Sequence, residues 1–246
     1  MEVVRERFRP DGSLSREEME AMQRNIAAAA TFADDADFDP PDVWSGEAVV
    51  AGVDQAFLEK RAVSAVVALR GGEVIARASA VTPPSIPYVP GLLSFREGEP
   101  ILAALESLEV DPDVLVLDGS GRIHFREAGL ATHVGVCFDV PAVGVAKNLL
   151  CGRPRDPVDA LSEGARIPIE ADDSMTAPDD EVVGHAYQSR QYPNSTTVNP
   201  LYVSPGHRLS AATAVDVVEA SGGEYKLPRP TRLADQFADE LKTKHG

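Results

Sequence analysis

The chain has 246 residues, of which 43% are hydrophobic, and its formal net charge is −16. This length can bury one large hydrophobic core or two small ones, and the acidity by itself argues against a nucleic-acid partner, which normally meets a basic surface. No run of about 18 apolar residues exists and the first ten residues are charged, so we expect neither a membrane span nor a signal peptide.

The amino-terminal region contains a helix-start signal. Ser15-Arg-Glu-Glu18 is a capping-box sequence, and apolar residues follow it at helical spacing, so we predict a helix over about 14–32. Five aspartates crowd the next stretch, 33–43, which we interpret as a solvated acidic linker. The remaining core, about 46–241, completes a single domain spanning 1–246.

Three β-rich segments open that core: Ala48–Phe57, Arg61–Arg70 and Glu73–Val81. Gly71-Gly72 between the last two is a strong hairpin signal. We therefore predict three antiparallel strands.

The segment from Ile86 to Glu97 follows. Pro87 and Pro90 each fix one φ angle and remove one backbone donor, which holds Tyr88 on a stiff loop. Gly91 permits a sharp turn there. A helix is predicted over Pro100–Leu108, with Pro100 at its first position and Glu97 on the preceding turn.

Farther along, strands alternate with helices. Asp113–Leu117 and Ala142–Ala146 are predicted strands on either side of a predicted helix, Gly129–Phe138, and this order is typical of parallel strands. The fold class is therefore α/β, with a mixed central sheet flanked by helices. The remaining predicted elements are strands at Arg166–Glu170, Val182–Tyr187 and Leu201–Val203 and helices at Ser210–Ala220 and Thr231–Leu241.

Three carboxylates lie where the predicted sheet could bring them together. Asp54 interrupts an apolar strand, Asp118 ends another, and Glu97 precedes the helix between them. A cluster of carboxylates without nearby His or Cys is suited to Mg²⁺ or Mn²⁺. Taken singly, these residues are better explained as a buried hydrogen-bonded aspartate, a turn and a helix-start charge; their joint placement reverses this order and favours the metal site.

The composition also bears on habitat. Cys137 and Cys151 are too few for a disulfide framework, so we expect free thiols in a reducing compartment and a cytoplasmic location. Only five of the 23 basic residues are lysines. An acidic, lysine-poor surface suggests a salt-rich cytoplasm, because at 1 M salt the Debye length falls to about 3 Å and surface repulsion nearly vanishes.

Six motifs, in order, resemble the endonuclease V family. The resemblance covers about Met19 to Leu241 and implies a ribonuclease H-like fold. It also implies a metal-dependent hydrolase of DNA repair that recognises deoxyinosine in DNA and cuts the second phosphodiester bond on its 3′ side, leaving 3′-hydroxyl and 5′-phosphate ends. The motifs are Asp54-Gln-Ala-Phe57, Pro87-Tyr-Val-Pro-Gly-Leu-Leu-Ser-Phe-Arg-Glu97, Asp118-Gly-Ser-Gly121, Gly129-Leu-Ala-Thr-His-Val-Gly-Val136, Gly144-Val-Ala-Lys147 and Tyr202-Val-Ser-Pro-Gly-His207.

The resemblance assigns roles to individual residues. Asp54, Glu97 and Asp118 would bind Mg²⁺, with Mn²⁺ able to substitute. Lys147 would contact the phosphate near the cut bond, and His207 would orient the attacking water. Substrate contacts are expected from Lys147 and from Tyr88, which would stack where the lesion base has left, and from Pro90, Gly91, Leu93, Gly119, His124 and Gly129 around the base.

Some positions depart from the family pattern. Ser120 replaces a usual His or Asn, Phe125 stands where Pro is commoner, and Gln188-Ser-Arg190 replaces a more basic sequence. These departures affect base recognition and phosphate contacts. Two alternatives stay open: an endoribonuclease acting mainly on inosine in RNA, and an inactive inosine-binding protein. No obligate protein partner and no membrane partner are expected.

Overall fold

The computed structural model describes residues 1–58, 61–83, 86–195 and 197–245. Within these residues nine strands form one sheet, with the order β3-β2-β1-β4-β5-β9-β8-β7-β6. The strands are β1 (Val49–Leu58), β2 (Arg61–Arg70), β3 (Glu73–Thr82), β4 (Val114–Asp118), β5 (Ala142–Ala146), β6 (Arg153–Pro154), β7 (Arg166–Glu170), β8 (Val182–Tyr187) and β9 (Leu201–His207).

Six α-helices pack on this sheet or beside it in the described part of the chain. The predicted capping box is confirmed, because the Ser15 hydroxyl accepts from the Glu18 N–H while the Glu18 carboxylate accepts from the Ser15 N–H. Ser210 caps a later helix in the same way, through the Thr213 N–H. The helices are α1 (Arg16–Ala29), α2 (Asp42–Ser45), α3 (Leu93–Glu106), α4 (Leu130–Phe138), α5 (Ala211–Ala220) and α6 (Arg229–His245).

The strand directions confirm the predicted mixed sheet. β1 pairs antiparallel with β2, and β2 with β3, through a turn in which Gly71 and Gly72 have φ of +56° and +79°. On its other side β1 runs parallel to β4, and β4 runs parallel to β5. From β5 onward the pairing is antiparallel again, beginning with β9.

Alternation along β1 and β4 directs side chains to two separate apolar layers. Val49, Ala51 and Val53 pack with residues of α3 and α4, whereas Val50 packs in the layer that contains residues of α5 and α6. Because side chains of a strand alternate with period two, the even-numbered residues of β1 face α6. The same alternation holds in β4, where Val114 and Val116 belong to the α5–α6 layer.

Two local predictions are wrong. The helix α3 begins at Leu93 and contains Pro100, so Glu97 lies inside the helix and not on a turn before it. Pro100 cannot donate to the carbonyl of Arg96. Burial of Phe95 and Ile101, 0% and 1% exposed, anchors the helix on both sides of the proline.

The acidic stretch is exposed at four of its five aspartates, as predicted, but it is not a free linker. A carboxylate oxygen of Asp34 accepts from the backbone N–H of Ser210 at 2.7 Å, and Asp35 forms an ion pair with Arg208 at 3.2 Å. Phe38 packs against the layer between the sheet and α5–α6. This stretch therefore packs across the end of β9 and the start of α5.

Both cysteines are buried free thiols, as predicted. Within the residues that the structure describes, none of the helices combines the length and apolar character needed to cross a membrane.

Helix α6 approaches β1 at Gly52 so closely that a side chain there has no room. A Cβ atom on Gly52 would lie 2.0 Å from the carbonyl carbon of Pro230. We predict that Gly52→Ala lowers the free energy of unfolding by about 3 kcal/mol, because backbone must move to relieve the overlap. Chemical denaturation measures this change. Gly223→Ala, where the Cβ would meet nothing within 4 Å, is the control; equal stability of the two variants would contradict this packing.

Candidate active site

Asp54 and Asp118 lie side by side where the parallel pairing of β1 with β4 ends; Asp118 is the last residue of β4, whereas β1 continues to Leu58. Val53 of β1 pairs in register with Leu117 of β4, so the two aspartates occupy the next position on each strand. They line a cleft of about 190 Å³ together with Glu97. The structure thus brings all three predicted carboxylates to one cleft.

The Glu97 side chain reaches this cleft from α3, a helix that is hydrogen-bonded to β1. The side-chain amide of Gln55 donates to the backbone carbonyl of Glu97 at 2.8 Å and to the hydroxyl of Ser64 at 2.6 Å. Because Gln55 follows Asp54 directly, this pair of bonds sets the position of Glu97 relative to Asp54.

A fourth carboxylate, that of Asp235 on α6, was not predicted. Its side chain lies close enough to that of Asp54 to help raise the pKa of the Asp54 carboxyl. The close approach of α6 to β1 at Gly52 places it there. An aspartate in an amphipathic helix is typical of a solvated face, and no spacing in the sequence relates Asp235 to Asp54.

Burial and mutual repulsion disfavour ionisation of this cluster. Burial, and then the negative charge of Asp118, raises the pKa of Asp54 to about 8; Asp235 adds to the shift. Burial raises the pKa of Glu97 to about 7, against the opposing charge of Arg96 and with the help of Asp118. A bound cation would reverse both effects, and an all-oxygen donor set fits a hard divalent ion.

The carboxylates are nevertheless not gathered into a finished metal site. Across the described ranges of the chain, no three Asp, Glu, His or Cys side chains converge closely enough to hold an ion. The sequence predicted one convergence point, whereas the structure shows a shared cleft whose side chains would have to turn inward around an ion.

Lys147 lies beside the cleft, just after β5. Its Nζ donates to Asp118 Oδ2 at 2.8 Å. Burial alone would lower the pKa of Lys147, but the bond to Asp118 and the charges of Asp118, Asp54 and Asp235 outweigh it and raise the pKa. The ammonium group therefore stays charged next to the carboxylates.

Tyr88 is presented to solvent on a supported loop. Its side chain is 66% exposed, whereas the residues that follow the loop are buried: Leu92 is 4% exposed and Phe95 is 0% exposed. Gly91 has φ of +79°, and its carbonyl accepts from the side-chain amide of Gln23 in α1 at 2.8 Å. The loop is thus anchored beneath an exposed ring.

His124 supports this loop from below. Its Nδ1 accepts from the Arg126 N–H at 3.2 Å, so in the neutral ring Nε2 carries the proton and donates to the Gly91 carbonyl at 3.1 Å. Burial lowers the pKa of His124 to about 4, which keeps the ring neutral. That His124 contacts the substrate base stays a prediction; in this structure both ring nitrogens have partners and the residue is 3% exposed.

The other predicted base-pocket residues surround the same region. Pro90 is exposed and Leu93 is half-buried at the start of α3. Gly119 donates its N–H to the Val145 carbonyl at 3.0 Å, and Gly129 donates to the Gly121 carbonyl at 3.1 Å. The segment between Gly119 and Gly129 therefore folds back on itself beside Asp118.

His207 does not belong to the cleft. It pairs with Ala142 on β5, whereas Asp118 pairs with Val145, about 10 Å farther along the strand. Its ring is 1% exposed; Nδ1 accepts from the Thr31 N–H at 3.1 Å, and Nε2 lies 2.9 Å from Asp139 Oδ1. The predicted catalytic role is corrected, because both nitrogens join distant segments of the chain.

A mixed sheet flanked by helices, with carboxylates on adjoining parallel strands and a lysine beside them, places the chain in the ribonuclease H-like fold class. Comparison with known proteins identifies the family. The Endonuclease V family model matches residues 35–236. The chain is 70% identical over 246 residues to the Endonuclease V of Natronomonas pharaonis, covering 100% of this chain and 99% of that one. The chain belongs to the Endonuclease V family and is a hydrolase.

Solved structures agree with this assignment. The Endonuclease V of Streptomyces avermitilis is 33% identical, with a TM-score of 0.78 over 94% of each chain. That of Ciona intestinalis, solved with a 24mer DNA containing an inosine followed by a ribo-adenosine, is 26% identical, with a TM-score of 0.75 over 94% of this chain and 98% of that one. The similarity to a protein of a halophilic archaeon accords with the habitat inferred from composition.

The surroundings of His207 generate a prediction. We expect His207→Ala to lower the free energy of unfolding by about 1–3 kcal/mol, because the buried Thr31 N–H loses its acceptor. Turnover by the folded enzyme should be unchanged. Denaturation and nuclease assays on the same preparation separate the two effects, and Asp139→Ala should give a similar result. If turnover fell by about 100-fold or more while the free energy of unfolding stayed unchanged, a catalytic role for His207 would be supported instead.

Proposed function

We propose that this chain is a metal-dependent endonuclease of DNA repair that recognises deoxyinosine and cleaves the second phosphodiester bond on its 3′ side. The products would carry 3′-hydroxyl and 5′-phosphate ends. One observation carries the proposal: a single stiff segment has an exposed aromatic, Tyr88, at one end and a cleft carboxylate, Glu97, at the other. The inosine-containing DNA bound to the Ciona intestinalis relative supports this substrate.

The carboxylates would hold Mg²⁺, with Mn²⁺ able to replace it. Asp54 and Asp118 are the central ligands in this proposal, with Glu97 and Asp235 at either side. The ions would stabilise the attacking and leaving oxygens of the phosphodiester during hydrolysis. The raised pKa values of Asp54 and Glu97 support this assignment, because burial and then the charge of Asp118 disfavour ionisation of both carboxyls, and a bound cation would offset both effects.

The damaged base would be recognised after it has been flipped out of the stack of bases. Tyr88 would fill the vacated space, since extruding a base costs a few kcal/mol and a stacked ring offsets part of that cost. Hypoxanthine lacks the exocyclic amine of adenine and guanine. Main-chain groups near Gly119 and Gly129 could therefore select it by excluding an amine, and His124 would contribute indirectly by fixing Gly91.

Lys147 would lie against the phosphate at the cut bond. Its ammonium group is compact, charged and adjacent to Asp118, so it can stabilise charge that develops on a nearby phosphate oxygen. Exchange of its partner from Asp118 to phosphate would leave Asp118 available to a metal ion.

The carboxylate assignment gives a direct test. We predict that Asp118→Asn and Asp235→Asn each lower cleavage of an inosine-containing strand by at least about 100-fold, while binding measured by fluorescence anisotropy is retained. The matched control is Asp239→Asn, an exposed aspartate one turn along α6. Raising the Mg²⁺ or Mn²⁺ concentration should recover part of the loss in Asp235→Asn. Full activity in both variants would remove the proposed metal site.

Analysis of the cleavage products tests the proposed substrate, the position of the cut and the chemical groups at the new ends. End-labelled DNA and RNA strands of the same sequence, each with one inosine, would be cut in parallel. The proposal requires cleavage of the DNA strand at the second bond 3′ to inosine and a 5′-phosphate on the product. Cutting of the RNA strand alone would favour the endoribonuclease alternative.

Tyr88 gives a separate prediction. Tyr88→Ala should weaken binding of an inosine-containing duplex about tenfold, because loss of one stacked ring is worth about that factor, while Tyr88→Phe should bind normally. The activation curve for Mg²⁺ should not move. Competition binding against an undamaged duplex measures the selectivity; an unchanged preference for inosine in Tyr88→Ala would contradict the wedge role.

A further inference from the structure

Lys147 lines a second groove next to the cleft. This groove has a volume of about 320 Å³. We call it the tyrosine groove. Its lining residues are Lys147, Tyr192, Tyr225, Lys226, Leu227 and Arg232.

The charge of the tyrosine groove is opposite to that of the whole protein. The chain carries −16, with five lysines, yet two of those lysines and an arginine line this one groove and no carboxylate does. Burial and the neighbouring charge of Lys147 lower the pKa of Lys226. Lys147 is paired with Asp118, so Lys226 and Arg232 are the cations of the groove that are available to a phosphate.

The groove also presents two aromatic rings. Tyr192 is 46% exposed and Tyr225 is 52% exposed. The guanidinium of Arg232 lies 4.3 Å from the centroid of the Tyr225 ring. Exposed rings interleaved with cations are the two components of surfaces that bind single-stranded nucleic acid.

The loops that carry these rings are tied together. The Ser189 hydroxyl donates to the Lys226 carbonyl at 2.6 Å, which joins the loop before Tyr192 to the loop that contains Tyr225. Glu163 accepts from the Gln191 N–H at 2.8 Å and pairs with Arg190 at 3.0 Å. A preorganised platform loses little entropy when a strand binds.

The order of the strands in the sheet indicates which part of the substrate would lie in the tyrosine groove. Asp54, Asp118 and Lys147 belong to β1, β4 and the end of β5, which are successive neighbours in the sheet. Tyr192 follows β8, farther in the same direction. A strand whose lesion lies near Tyr88 and whose cut bond lies at Asp118 would thus leave the cleft past Lys147.

We propose that the tyrosine groove binds the single strand on the 3′ side of the cut bond, with bases stacked on Tyr192 and Tyr225 and phosphates held by Lys226 and Arg232. The direction of the strand rests on the proposed cleavage position. Stacking suits a saline habitat, because at 1 M salt the Debye length of about 3 Å weakens phosphate contacts, while the contact between rings is not screened.

Substrate length tests the groove. Two inosine-containing single strands would be compared, one ending a single nucleotide beyond the cut bond and one extending about eight nucleotides farther. We expect Tyr192→Ala and Tyr225→Ala each to raise KM about tenfold on the long strand, with kcat unchanged, and to leave the short strand unaffected. Phenylalanine at either position should restore KM. Ile75→Ala, an exposed apolar residue on β3, is the control.

Salt separates stacking from charge. Lys226→Met should weaken binding of the long strand at low salt and lose its effect at molar KCl, whereas the defect of Tyr225→Ala should persist. Lys242→Met, an exposed lysine on α6, is the matched control.

A binding measurement keeps the groove independent of the cleavage proposal. Anisotropy of a labelled undamaged single strand, in EDTA, reports the groove whether or not inosine is cut. Equal affinity of the wild type and of the Tyr192→Ala, Tyr225→Ala double variant for this strand would contradict the proposal that the tyrosine groove binds single-stranded DNA. If the double variant loses affinity for the strand but the wild type does not cut at inosine, the proposal for the tyrosine groove stands and the proposed function is contradicted.

Discussion

The contact between α6 and β1 determines the composition of the active-site cleft. Gly52 has no side chain, so the backbone at Pro230 can lie directly over the strand, and Ala56 and Ala238 continue the close contact farther along. A side chain at position 52 would push α6 away from the strand, and Asp235 with it. Here it lies beside Asp54, and a region that packs the core also supplies a carboxylate.

That closeness is electrostatically unfavourable. Asp54 is half-buried, the nearby carboxylates of Asp118 and Asp235 raise its pKa further, and Lys147 pairs with Asp118. Such an arrangement lowers the stability of the charged form and raises the affinity for a cation. The cluster is thus explained by ion binding better than by folding, since an apolar residue at position 54 would pack in the strand at lower cost.

The loop with Tyr88 illustrates how an exposed ring is held in place by buried polar contacts. Gln23 comes from the amino-terminal helix α1 and His124 from the segment after β4, and both donate to the same carbonyl, that of Gly91. The neutral state of His124, enforced by burial, gives its Nε2 the required proton. A loop fastened from two distant parts of the chain keeps its shape while its tip stays in solvent, which is what a recognition element needs.

Much of the fold follows from local patterns. Alternating apolar residues, the Gly71-Gly72 turn and the Ser15 and Ser210 caps each act within a few residues, and the corresponding elements form as predicted. Asp54 and Asp118 could be placed together because parallel strands end at a common edge. The start of α3 was misplaced because the burial of Phe95 outweighs the preference of Pro100 for a first turn.

The sequence by itself determined the mixed sheet, the aspartates on two neighbouring strands and the stiff loop that carries Tyr88, because each depends on spacing along a short stretch. Only the tertiary structure decided that Asp235 lies beside Asp54, that His207 lies away from the cleft, and that the acidic stretch packs on the core. Each of these depends on a contact between segments far apart in the chain, such as Thr31 with His207 or Gly52 with Pro230. Local propensity contains no information about such contacts; the packing of helices against the two faces of the sheet creates them.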